Sequence, residues 1–438
     1  MFDKKRKNII RKIIGFLLLS LFVLLMFPGP GWARERKEAS NTCYICHTRM
    51  GKKTAEWVEK WRISVHGESN VSCSGCHGGD PTSFNRPKDK STGYIGAPSR
   101  EQIPEFCARC HSNPTWMRQF NKRTDQLSLY KTSVHGRQLL EKGDLNVATC
   151  TDCHGRHEIK RYSDLGALSH HQKIAETCAN CHSDPERMKP YKLRSDQLEL
   201  YKLSYHGQIL YNKIPEKNPS LVPSCPECHG IHGATPAGVA EVANVCGNCH
   251  ASTQGYFERS GHYESLANKG RPRCIDCHAY HDILYPTMAL YEGTEKYHCG
   301  HCHNINHKDY NLGQEIKSAF ISSEKRVDDV WEKTIEIEIN PGLDVIDEKD
   351  QLEGARRLIL EAVPVSHTMD LDEITVYTND VLDIAQKVEN SIDARQEEFI
   401  TRKKGLFATL VILIIIIGSL LYKRWVMQLE LDIDSDLE

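Results

Sequence analysis

The chain has 438 residues, 26% of them charged, and a formal net charge of −2 at pH 7, a balance that leaves neither a nucleic-acid footprint nor a dominant acidic tail. Composition therefore argues against nucleic acid as a partner and leaves other partners open.

At the N-terminus, Lys4, Lys5, Arg6, Lys7, Arg11 and Lys12 precede a largely apolar run from Ile13 to Phe27. Gly31 and Ala33 then stand where a cleavage site wants small residues, so 1–33 reads as a secretory signal or, failing cleavage, an N-terminal anchor. Either way the haem-bearing part of the chain is sent out of the cytoplasm.

All 18 cysteines then fall into Cys-x-x-Cys pairs, each followed directly by histidine. In chain order these motifs are 1, Cys43, Cys46 and His47; 2, Cys73, Cys76 and His77; 3, Cys107, Cys110 and His111; 4, Cys150, Cys153 and His154; 5, Cys178, Cys181 and His182; 6, Cys225, Cys228 and His229; 7, Cys246, Cys249 and His250; 8, Cys274, Cys277 and His278; 9, Cys299, Cys302 and His303. A zinc array would accept the paired cysteines, but tetrahedral coordination asks for no histidine after every second one. A disulfide scaffold asks for it even less. Covalent attachment of c-type haem demands this pattern. Two thiols three residues apart on a helical turn each add to one vinyl of a macrocycle, and the next residue lies under the iron. Nine covalent haems are expected, with the nine motif histidines as proximal ligands.

Residues 107–136 align without a gap on 178–207 at an offset of 71, with about 17 of 30 positions identical. Looser copies start at Cys43 and Cys246, so the region reads as four two-haem units followed by a ninth haem. Nine motifs within residues 43–307 leave about 29 residues for each haem, too few for an ordinary hydrophobic core around every one. The haems themselves must form the core, wrapped in short helices and loops.

Further histidines fall into two classes. In the first, an aromatic residue stands five positions before and a serine two before: Trp61 with His66, Tyr130 with His135, Tyr201 with His206, Phe257 with His262. In the second, histidine closely follows a motif: His157, His232, His281 and His307. These are too near their own motif to reach the opposite face of the same haem, so each would serve a neighbour. Both classes are read as distal ligands. That leaves one iron, for which His367 is the first choice, filling the gap in the first repeat, where Gly79 and Asp80 stand in place of a second-class histidine. His171, Met117, Met188 or an open site are the alternatives.

Residues 313–402 carry no cysteine and read as helices broken at Asn340, Pro341 and Gly342 and near Pro364. Ile374, Tyr377, Val381, Ile384, Val388 and Ile392 recur at steps of three and four, an amphipathic stripe expected in a hairpin or small bundle packed on the haem domain. The run 405–422 holds no charge and is long enough to span a bilayer. The expected organisation is a signal at 1–33, a nine-haem domain at 34–312, a helical region at 313–402, a transmembrane helix at 405–422 and a short cytoplasmic tail at 423–438. The fold class is mainly α with extensive loops, haems forming the core.

The stretches IPEFCARCHS, YKTSVHG, CTDCHGRHEI and CHGGDP resemble membrane-associated multihaem cytochromes c, the assemblage of octahaem cytochromes and membrane-anchored quinol-oxidising cytochromes. The resemblance covers roughly residues 43–400. It implies anaerobic respiration, with a quinol-oxidising membrane subunit or quinol itself on one side and periplasmic redox proteins on the other. It also implies a place in a bacterial inner membrane, haems in the periplasm, and a histidine near His367 as a ligand. The chain departs from the reductases of that group in having no lysine-terminated motif. An electron carrier is the leading expectation; an oxidoreductase of a small nitrogen or sulfur compound, with one open-site haem, is the alternative.

Overall fold

The computed structural model describes residues 41–85, 88–235, 245–293, 297–339 and 343–435. The signal segment and the Asn340–Gly342 break lie outside them. Among the described residues the chain is helical with no strand. It divides into two compact units, one of Met1–Val242 with His281–Ile283, the other of Ala243–Tyr280 with Leu284–Glu438. Motifs 7 to 9 thus share a unit with the helical region.

The first unit is a string of short helices in which motifs 2, 4 and 6 are each a single capped turn, while motifs 1, 3 and 5 lie within the helices Thr42–Arg49, Ile103–His111 and Ile174–His182. Thr149 and Asp152 form a reciprocal cap at the start of Cys150–His154, and Ser224 and Glu227 do the same for Cys225–His229. The turn then stops at once, because Gly78, Gly155 and Gly230 follow their histidines at φ of 68°, 79° and 84°. This geometry sends the chain away immediately after the histidine, leaving the ring as the last side chain of the turn.

The second unit is built on three long helices, α1 (Lys308–Glu338), α2 (Ile346–Val365) and α3 (Leu371–Ser435). Their apolar faces close a core that includes Phe320, Val327 and Val330 from α1, Leu352 and Ile359 from α2, and Ile374, Val381, Val388 and Ile392 from α3. Tyr377 and Ile384 of the expected stripe lie at its margin, partly buried. Thr378 and Ala385 are the neighbours that go fully inside. Ion pairs fix the directions. Arg326 with Glu389 and Lys333 with Asp393 set α1 parallel to α3, while Lys349 with Glu338 and Arg356 with Asp328 set α2 antiparallel to α1. The result is an up-down-up bundle rather than a hairpin. Pro364 is accommodated in the last turn of α2, and the break falls at Ser366–Thr368, with Met369 at φ 54° starting the turn into α3.

At the far end of the bundle Glu348 is 1% exposed, and its Oε1 accepts from Arg395 at 2.8 Å and from the Ser391 hydroxyl at 2.7 Å. A buried carboxylate needs such partners, since isolated it would cost several kcal/mol. Beyond Arg395 α3 runs on exposed into the apolar stretch, and by length and composition it is a helix able to cross a membrane.

Candidate haem-binding site

The first-class histidines owe their placement to the serine two residues before them. Ser64, Ser133 and Ser204 each cap the helix that carries the histidine, accepting from the backbone N–H of Gly67, Gly136 and Gly207 at 3.1, 2.9 and 2.9 Å. The same hydroxyl donates to the carbonyl of the aromatic residue, Trp61, Tyr130 or Tyr201. Ser260 caps the helix of His262 in the same manner, accepting from Tyr263 and donating to Phe257. The aromatic tip reaches forward. Trp61 Nε1 donates to the carbonyl of Val71, Tyr130 Oη to Ala148 and Tyr201 Oη to Pro223, in each case two residues before the next motif. One local device therefore aims the histidine and fixes it against the following haem site.

Glycine after the histidine belongs to that device. A Cβ at Gly136 or Gly207 would sit 1.8 Å from the backbone oxygen of Tyr130 or Tyr201. Gly136→Ala must therefore push the His135 helix off its seat. We expect that variant to turn a single iron of the oxidised protein high-spin, read by electron paramagnetic resonance with haem content unchanged; an unaltered spectrum would mean the helix tolerates the shift.

Among the described residues the structure sets seven pairs of histidine rings close together, at interplanar angles from 24° to 63°. In the first unit the pairs are His66 with His111, His77 with His157, His135 with His182, His154 with His232 and His229 with His281. In the second they are His262 with His303 and His278 with His367. Packed aromatic rings range over about 4.5–7 Å between centroids. These seven all fall between 5.9 and 6.4 Å, and each joins one motif histidine to one that is not. Two metal–imidazole bonds of about 2 Å, with a little over 1 Å from each nitrogen to its ring centre, give about 6 Å. The gaps fit one iron held axially on both sides.

The rings also present the correct nitrogen and charge. Nδ1 of His77, His229 and His367 donates to the carbonyls of Gly96, Thr235 and Pro364 at 2.8, 3.2 and 3.1 Å, leaving Nε2 with its lone pair for metal. Burial lowers the pKa of His66, His111, His135, His182 and His367, and takes His154 and His278 down to about 4. Neutral imidazole, the form that binds metal, is thereby favoured. Asp125 lies beside His232 and Asp196 beside His281, each with a buried Oδ1 that has no hydrogen-bond partner while its other oxygen takes Arg123 or Arg194.

Three expected positions fall differently. His367 does not complete the first repeat; it faces His278 of motif 8. His307 forms no ring pair with a motif histidine among the described residues; its nitrogen lies within 4.8 Å of ligand atoms of His303, in the motif it follows, and of Asp309. It is exposed, caps the N-terminus of α1 by accepting from Asp309, and lies 3.1 Å from that carboxylate. His47 forms no ring pair among the described residues. His206 sits capped by Ser204 in the frame shared by His66 and His135. Met117 and Met188 are packed inside, 6% and 5% exposed.

The cysteines show how the motifs adjoin. None of the 18 is in a disulfide, and among the described residues no cluster of three or more cysteines offers a zinc site. In the first unit first cysteines meet between motifs 1 and 2 (Cys43, Cys73), 3 and 4 (Cys107, Cys150), and 5 and 6 (Cys178, Cys225). Second cysteines make the alternate junctions, Cys76 near Cys110 and Cys153 near Cys178 and Cys181. The second unit repeats both kinds, Cys246 against Cys274 and Cys277 near Cys299 and Cys302. Within each unit, then, spatial order follows sequence order.

Residues 65–183, which hold motifs 2 to 5, match the family model of cytochrome c3. No solved structure matches the chain. The match and the cysteine pattern together support a multihaem cytochrome c with covalently bound c-type haems.

Proposed function

We propose that the protein is a membrane-anchored nine-haem electron wire. It would carry electrons between a quinol pool or cytochrome b partner of a bacterial inner membrane and redox proteins of the periplasm, in anaerobic respiration. The observation that carries this reading is the set of seven facing histidine pairs, because an iron with two imidazoles has no open position for substrate. The distal ligands are then His66, His135, His157, His232, His262, His281 and His367, with His206 in the equivalent place of its repeat. Paired imidazoles hold the potentials low compared with methionine-ligated haems, which suits a low-potential respiratory chain. When bound, the haems supply reversible one-electron chemistry. The polypeptide would supply thioether anchorage at each cysteine pair, imidazole nitrogens that carbonyls orient at His77, His229 and His367, and a sequence-ordered spacing of the motifs within each unit.

His47 favours a second reading, in which the motif 1 haem keeps an open face and acts on a small nitrogen or sulfur compound. One set of measurements on the mature protein tests both. Intact mass should show nine haem additions, and assays with nitrite, hydroxylamine and tetrathionate should show no turnover. Fewer than nine additions would contradict the nine-haem wire, and turnover lost in a His47→Ala variant would favour the enzyme.

A further inference from the structure

In the second unit, motifs 8 and 9 lie at one end of the bundle and the apolar stretch of α3 at the other. The Arg326–Glu389 and Lys333–Asp393 pairs set the register between α1 and α3, which places the first turn of α1 level with the first turn of α3. Motif 9 leads directly into α1, and His367, paired with His278 of motif 8, lies just before α3. The apolar stretch begins at Gly405, and α3 runs from Leu371 to it as one continuous helix with no proline. At about 1.5 Å per residue that separates the haem end from the bilayer surface by about 50 Å. A tilt of about 40°, the steep end of what membrane helices show, still leaves about 40 Å.

We propose that the three-helix bundle is a spacer that holds the motif 8 and motif 9 haems about 40–50 Å off the membrane, so that this end of the wire exchanges electrons with a soluble redox protein rather than with quinol. The proposal rests on residues 405–422 crossing the bilayer. Quinol stays within the hydrocarbon, and electron transfer needs near contact between cofactors, so quinol cannot serve these two haems directly. The surface they present suits the alternative. Around motif 9 His301, Asn304, Asn306, His307, Lys308 and Asp309 are exposed, a polar face with one apolar side chain, Ile305. Transient electron-transfer encounters use small contacts of this kind.

Electron cryomicroscopy of the full chain in lipid nanodiscs tests the geometry. The irons of motifs 8 and 9 should stand about 40–50 Å above the phosphate layer with α3 inserted. Insertion of 405–422 with those irons at headgroup level would overturn the spacer while leaving the anchor standing. Failure of 405–422 to enter the disc would overturn the anchor and the spacer with it. The soluble exchange is tested by stopped-flow oxidation of the reduced full chain by a soluble single-haem cytochrome c, in detergent and in liposomes. Rates should agree within about twofold if the port stands clear of lipid. A loss of tenfold or more on insertion would show the exchanging haems to be occluded at the membrane and overturn the proposal.

Discussion

Replacing His367 with alanine is expected to turn one low-spin haem high-spin and able to bind carbon monoxide, and that haem is the one on Cys274 and Cys277. The His367 ring stands 6.0 Å from the His278 ring, at 27° between planes, with Nδ1 occupied by the Pro364 carbonyl. Removing it leaves the iron of motif 8 without a sixth ligand, and nothing else about attachment changes. Added imidazole should restore the low-spin signal, which a collapse of the local fold would not allow. If the spectrum stayed unchanged, His367 would be a packed loop residue and the ligand of motif 8 would lie elsewhere.

Truncation after Arg402 should move the protein from the membrane fraction to the soluble fraction with all its haems. The core of the bundle closes at Ile392 and its last bond to α2's approach is from Arg395 to the Asp344 carbonyl, so the cut removes apolar helix without touching packing. Eighteen uncharged residues contribute far more to membrane partition than any peripheral contact, and recovery in the soluble fraction should rise at least tenfold. Retention in salt-washed membranes would assign the anchor to the N-terminal segment or to a bound partner.

Much of this arrangement is legible in the sequence because it is local. The Cys-x-x-Cys-His turns, the serine caps of His66, His135, His206 and His262, and the glycines that stop the turns of motifs 2, 4 and 6 are all set within a few residues. The pairing of rings is not local, and there the reading of the sequence falls short. His157 of motif 4 faces motif 2, His232 of motif 6 faces motif 4, and His281 of motif 8 faces motif 6. Each second-class histidine thus reaches back two motifs. Motif 2 has no earlier partner to serve, which explains Gly79 and Asp80 in that place. Motif 8 has no later motif to serve it, which explains why His367 comes from the helical region. His307 follows an odd-numbered motif and lies beside His303 and Asp309 of its own neighbourhood rather than two motifs back. The helices of the bundle were legible from their apolar period, but not their order, which ion pairs such as Lys349 with Glu338 settle across the chain.

Paired histidines hold the irons in this reading, and electron paramagnetic resonance of the fully oxidised chain, with near-infrared magnetic circular dichroism on the same sample, counts how many irons they hold. Eight of the nine irons should be low-spin with two imidazole ligands, seven from the ring pairs and one through His206, with high-spin signal confined to the single haem of motif 1. Several high-spin irons, or a band of methionine-ligated haem in place of paired imidazoles, would contradict it.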